Sequence, residues 1–115
     1  MEELHSALEL AKSIKEKKVS PVEVAKHYLK KIDEENETLN AIIWRNDEEL
    51  LDSAKKAEDS VMKGDDLAPF HGIPTPVKDL TEVAGQPYTM GSNAMADDIG
   101  QIDSSIVTLA KNAGF

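Results

Sequence analysis

The chain has 115 residues, enough for one small domain and too few for two. Its 13 Lys and Arg stand against 22 Asp and Glu, a net charge of −9, which argues against the basic face that nucleic-acid phosphates or an anionic membrane surface would require. There is no cysteine for disulfide or thiolate chemistry. The opening MEELHSALEL lacks the positive region of a secretory leader, and no apolar run approaches the ~20 residues of a membrane span, so a cytoplasmic protein is expected.

Leu4, Ala7, Leu8, Ala11 and Ile14 recur at helical spacing opposite Glu9, Lys12, Lys15 and Glu16, and predict an amphipathic helix. In SPVEVAKHYLKKI, Ser20 is a natural N-cap, Pro21 suits the first helical position, and Glu23 completes a capping box. Val22, Ala25, Leu29 and Ile32 form the predicted buried stripe of this second helix. The period changes in LNAIIWR, Leu39 to Arg45, whose Ile-Ile-Trp centre reads as a short strand, with Trp44 as an aromatic anchor beneath the helices. A third helix is predicted from near Asp47, with Leu50, Ala54, Ala57 and Val61 on one face and Gly64 as its stop.

Between Leu67 and Ile102, Pro69, Gly72, Pro74, Pro76, Gly85, Pro87 and Gly91 exclude long helices. One short strand, Thr75 to Asp79, is expected there, with its prolines near the start. In DSSIVTLAKNAG, Asp103 is expected to cap a fourth helix that turns Ile106, Leu109, Ala110 and Ala113 inward and ends at Gly114. This order predicts an α/β class, a mixed sheet flanked by helices, of which the chain holds the helices and two short strands. Two strands do not make a stable sheet, and the last helix stops where the returning strand of a βαβ unit would begin. The expectation is therefore an N-terminal piece of a larger domain: residues 1–66 a helical segment with one strand, and 67–115 a lysine-bearing strand, Gly/Pro loops and a capped helix.

The segment HGIPTPVKDL places Lys78 among apolar neighbours. A lysine there has two readings. Its stem can pack while the ammonium reaches water, or the amine can be kept from solvent, lose its proton and serve as a general base towards a serine hydroxyl. Asp79 follows on the opposite face of an extended segment and is expected to brace the neighbouring loop rather than act on the lysine.

The motifs Gly72-Ile73-Pro74, Val77-Lys78-Asp79, Ala84-Gly85 and Thr89-Met90-Gly91-Ser92, followed by Asp103 to Gly114, occur together in one order. In this the chain resembles the amidase signature family of serine hydrolases, and SPVEV and LNA resemble that family's opening. The resemblance implies a Ser–cis-Ser–Lys triad in which Lys78 is the base. It also implies a small-molecule amide as substrate, cleaved at a non-peptide carbon–nitrogen bond, and no cofactor or metal. The family's two serines lie in a Gly/Ser-rich segment that nothing in this chain resembles, so the isolated chain is expected to hydrolyse no amide.

The amidotransferase A-type component of transfer-RNA transamidation resembles these amidases and shares the same lysine. It usually has Asn two residues after that lysine, where this chain has Leu80. A reading of another class is a small acidic helical binding module, which the capping of every predicted helix favours and the Gly/Pro-rich span disfavours. Exposed apolar helix faces and an unpaired strand edge imply self-association.

Other candidates carry less. His5, His27 and His71 are scattered without metal-site spacing; the first two are expected on helix surfaces, the third in a turn with a backbone hydrogen bond. Ser104 and Ser105 read as first-turn helix residues, and Asp65-Asp66 and Asp97-Asp98 as solvated loop charge.

Overall fold

The computed structural model describes residues 6–115; the predicted roles of Leu4 and His5 lie outside them. Four α-helices follow in chain order: α1 Ala7–Lys15, α2 Pro21–Leu39, α3 Asp47–Lys63 and α4 Ser105–Ala113. The described residues gather into two compact units, one running up to Pro74 and including Ala113–Phe115, the other Thr75–Asn112.

In the first unit local sequence signals set the helix ends. Ser20 Oγ accepts from the Glu23 amide at 3.0 Å while the Glu23 carboxylate accepts from the Ser20 amide at 2.8 Å, which completes the predicted capping box. Helix α3 stops at Gly64 as expected, with Gly64 N–H donating to Val61 O and Asp65 N–H to Ser60 O. The same pattern closes α1 around Lys17, which takes the left-handed φ of 58° that an L side chain adopts at a cost.

Leu10, Ala11 and Ile14 of α1, Val24 of α2, Val61 of α3 and Ile73 form one core cluster, against which Val19, Tyr28, Leu67 and Phe70 pack. Burying a side chain such as Ile14 or Leu10 contributes about 1.5–3 kcal/mol. The buried stripe of α1 differs from the expected one, because Leu8 is 68% exposed. Leu8 and Leu10 are just over half a turn apart and cannot face the same neighbour. The larger apolar set, Leu10 with Ile14, takes the inner side. On α2, Ala25 and Leu29 are buried as expected and Val24 joins them, while Val22 and Ile32 are half-buried; Ala54 and Val61 hold the inner face of α3.

Residues 113–115 close this unit. Phe70 N–H donates to Ala113 O at 2.8 Å and Gly72 N–H to Gly114 O at 3.1 Å, and the rings of Phe70 and Phe115 stack 4.7 Å apart. Gly114 has φ of 107°, and a Cβ there would lie 2.5 Å from the His71 amide nitrogen. Only glycine fits that approach.

Neither expected strand forms. Among the described residues there is no strand, and the one β-bridge is an isolated antiparallel pair, Pro87 with Ile99. At 39–45 the ladder is pre-empted by a side chain. Asn36 Oδ1 accepts from the Ala41 and Ile42 amides, at 2.9 and 2.8 Å, and Asn36 Nδ2 donates to Ile42 O at 2.8 Å. The groups a neighbouring strand would bind are thereby used. Trp44 is no buried anchor either, being 41% exposed. It lines an open groove of about 330 Å³ with Ile32, Ile42 and Ile43. Arg45 holds this connector by ion pairs to Asp33 at 2.6 Å and Asp47 at 3.0 Å. At 75–79, Pro76 offers no N–H and no strand among the described residues runs alongside, so Thr75 to Lys78 is irregular and exposed.

In the second unit, residues 82–88 run against 98–104. Gly85 N–H donates to Gly100 O, Gly100 N–H to Gln86 O, Tyr88 N–H to Asp98 O and Ser104 N–H to Glu82 O. The Glu82 carboxylate accepts from the Gln101 amide at 2.8 Å. The intervening loop contains one 3₁₀ turn, Asn93–Met95.

Helix α4 departs from the expectation twice. Asp103 does not cap it. Its carboxylate instead accepts from the Ala84 amide at 2.9 Å and the Lys111 ammonium at 2.7 Å, and the Lys111 hydrogen bond, then that from Ala84, holds its pKa below the usual carboxylate value. The buried face is also turned around. Val107 is buried, whereas Ile106 and Leu109 are 62% and 64% exposed. A helix packed on one side inside its unit buries one stripe, and here that stripe runs through Val107.

Candidate active site

Lys78 lies at the start of a tight turn, where its carbonyl accepts from the Thr81 amide at 2.9 Å. The residue is exposed. Among the described residues no hydrogen bond or ion pair reaches its ammonium. Within this chain the apolar neighbours Val77 and Leu80 do not enclose it, since both are themselves exposed, at 43% and 56%.

Asp79 is the most engaged polar residue of this region. Its Oδ1 accepts from the Thr89 amide at 2.8 Å, its Oδ2 accepts from the Thr89 hydroxyl, and its carbonyl accepts from the Met90 amide at 3.1 Å. These contacts are the brace expected of it. The hydroxyl of Thr89, then the Thr89 and Gly91 amides, hold the Asp79 pKa below the usual carboxylate value.

The partner is a turn in which Ser92 N–H donates to Thr89 O at 3.0 Å. Met90 and Gly91 at its centre have φ of 51° and 69°, as a type I′ turn requires. Thr89 Oγ1 also accepts from the Gly91 amide at 3.2 Å. The sequence singles out both Asp79 and the Thr89-Met90-Gly91-Ser92 segment but does not join them. A glycine two residues after a threonine is the available signal for the turn.

His71 Nε2 donates to Ala57 O at 2.9 Å, which makes it the expected turn histidine with a backbone partner. His27 is half-buried on α2, its ring edge-on to Tyr28 at 5.3 Å. Ser104 and Ser105 sit at the start of α4, and Ser104 Oγ is buried without a hydrogen-bond partner. Asp65, Asp66, Asp97 and Asp98 are exposed, and among the described residues no His, Asp or Glu cluster could hold a metal ion. No described helix is long and apolar enough to cross a membrane.

A lysine on a tight turn, without a partner among the described residues, a braced carboxylate beside it and then a separate short helix follow one another in the order of the motifs. The amidase family model matches residues 23–115. An acylamidase of Rhodococcus erythropolis is 35% identical over 95% of this chain and 23% of its own length. The A-type component of the glutamyl-tRNA(Gln) amidotransferase of Salinispora tropica is 34% identical over 95% of this chain and 22% of its own. A solved bacterial aryl acylamidase of the amidase signature family superposes with a TM-score of 0.87 at 27% identity, over 96% of this chain and 24% of that one. The chain belongs to the amidase family, and it matches the N-terminal portion of its relatives, spanning about a quarter of their length.

Proposed function

We propose that this chain is the lysine-bearing N-terminal part of an amidase, and that Lys78 is the base of a Ser–cis-Ser–Lys triad. The observation that carries the reading is the Lys78 amine, exposed and without a partner among the described residues, on a turn whose backbone is fixed from both sides. With no described carboxylate paired to it, the amine is open to a serine hydroxyl.

In the reaction Lys78 takes the proton of the nucleophilic serine by way of the middle serine, and the serine oxygen bonds to the amide carbonyl carbon. Backbone N–H groups stabilise the oxyanion. The carbon–nitrogen bond breaks as the amine leaves with a proton from the lysine relay, and water then cleaves the acyl ester to the carboxylic acid. Acyl transfer of the amidotransferase kind uses the same steps on a primary amide, with the nitrogen leaving as ammonia that is passed on to transamidation, and the 34% identity to the S. tropica protein supports it as the second reading. Leu80, in place of the Asn usual in such amidotransferases, favours hydrolysis.

Both serines lie outside this chain, so the isolated polypeptide is inactive. The charge of −9 argues against direct nucleic-acid contact and fits a cytoplasmic protein. Exposed Ile106 and Leu109 support self-association of the isolated chain.

The test is a chimera in which residues 1–115 replace the matching portion of the R. erythropolis acylamidase, assayed on an aryl amide. The folded chimera turns over, and Lys78→Ala lowers kcat by ~10²–10⁴-fold, the usual contribution of a general base, without shifting its thermal transition. Equal turnover by a folded Lys78→Ala chimera, or amide hydrolysis by the 115-residue chain alone, contradicts the proposal.

A further inference from the structure

We propose that Asp79 is a positioning residue for Lys78, acting by pinning the Thr89–Ser92 turn to the backbone that carries the lysine. The inference rests on the reading of Lys78 as the base and adds what sets its direction. Since no hydrogen bond or ion pair among the described residues reaches the Lys78 amine, its direction follows from its own backbone and rotamer. That backbone is fixed at the lysine by the Thr81 amide on Lys78 O, at 2.9 Å. One residue on, it is fixed by the Thr89 amide and hydroxyl on the Asp79 carboxylate and by the Met90 amide on Asp79 O. The lysine therefore leaves the chain between two tied turns.

The arrangement also occupies a dangerous neighbour. A carboxylate next in sequence to a basic lysine could swing round and pair with it, and such a pair would favour the protonated amine. Both Asp79 oxygens are instead committed to Thr89. The Thr89 hydroxyl is oriented in turn, since it accepts from the Gly91 amide while donating to Asp79. The left-handed Met90, a cost for an L residue, is the conformation that carries the turn back onto Asp79 O. A freely solvated aspartate would require none of these contacts.

Asp79→Asn and Thr89→Val test the coupling in the 115-residue chain without any turnover. Asp79→Asn replaces one carboxylate oxygen by an NH2 donor and removes the charge, so the amide and the hydroxyl of Thr89 no longer each have an acceptor oxygen of their own. Valine at position 89 keeps the shape of threonine without its hydroxyl. By NMR, both variants accelerate hydrogen exchange of the residue 89 and Gly91 amides at least tenfold, and both shift the Lys78 backbone and Cε resonances. Thr89→Ser restores the parent values, and the α1–α3 amides do not change. Faster exchange at residue 89 with unmoved Lys78 signals reduces Asp79 to a brace and overturns the proposal; so does unchanged exchange in both variants. In the chimera, Asp79→Asn lowers kcat about tenfold with KM unchanged. Loss of that effect while Lys78→Ala remains inactive refutes positioning alone, whereas an active Lys78→Ala chimera refutes the base itself.

Discussion

The helices α1–α3 and the segment Thr75–Asn112 are held by different forces. The helical region owes its order to burial: Leu10, Ile14 and Val24 are almost wholly withdrawn from water, and its helix ends are closed by caps three residues long. The lysine-bearing region buries only Val83 and Val107 among its larger apolar side chains, and leaves Val77, Leu80, Met90, Ile99, Ile102, Ile106 and Leu109 in solvent. Its shape comes from side-chain carboxylates, Glu82, Asp79 and Asp103, each accepting backbone amides from ten to twenty residues away. Burial resists changes of pH, while hydrogen bonds to exposed carboxylates yield to them. A segment held in the second way opens locally more readily than one held by burial.

The largest expected effect breaks the burial side of this contrast. Ile14→Ala removes a fully buried side chain and leaves a cavity in the α1–α3 core, lowering stability by about 2–5 kcal/mol in urea unfolding followed by circular dichroism. A loss below about 0.5 kcal/mol, the range of a surface substitution, would mean that this core does not hold the region.

An intermediate effect isolates the carboxylates. Asp79 and Asp103 both have pKa values held below the usual carboxylate value, chiefly by the Thr89 hydroxyl and the Lys111 ammonium respectively. A carboxylate whose folded pKa is depressed contributes fully above its unfolded pKa and loses that contribution as the pH falls through the folded value. Exchange of the Thr89 and Ala84 amides, corrected for intrinsic rate, therefore accelerates below about pH 4, while α2 amides keep their protection. The first region has its own such group, Glu16, lowered chiefly by the Lys18 hydrogen bond, but it lies at the surface past the end of α1 and buries nothing. Simultaneous loss of protection in both regions would erase the distinction.

The smallest effect on stability sharpens the contrast at the surface. Ile106→Ser with Leu109→Ser removes exposed apolar area, changes the unfolding free energy by no more than about 0.5 kcal/mol, and abolishes concentration-dependent association in sedimentation. Unfolding by several kcal/mol would show that these side chains are core.

The contrast also explains how much could be read from the residues alone. Ser20 with Glu23, and Gly64 after α3, act within one helical turn, so their structure is written locally. The strand expected at 39–45 failed because Ile42, Ile43 and Trp44 advertise strand composition while the decisive group, the Asn36 carboxamide, stands several residues earlier on a helix. Likewise Asp79 was recognisable as a brace, but its partner Thr89 is ten residues on and is chosen by a turn. Periodicity located α4, yet Ile106, Val107 and Leu109 are all apolar, and only packing decides that Val107 turns inward. Lys78 stood out through its motif; its exposure in this chain did not follow from its apolar neighbours.

The most direct measure of the central claim is the rate at which the serine nucleophile is acylated in the chimera, followed by rapid mixing with an activated amide. The account predicts an acylation rate that falls ~10²-fold or more in Lys78→Ala, with substrate binding and fold intact. An acylation rate unchanged by that substitution would contradict it.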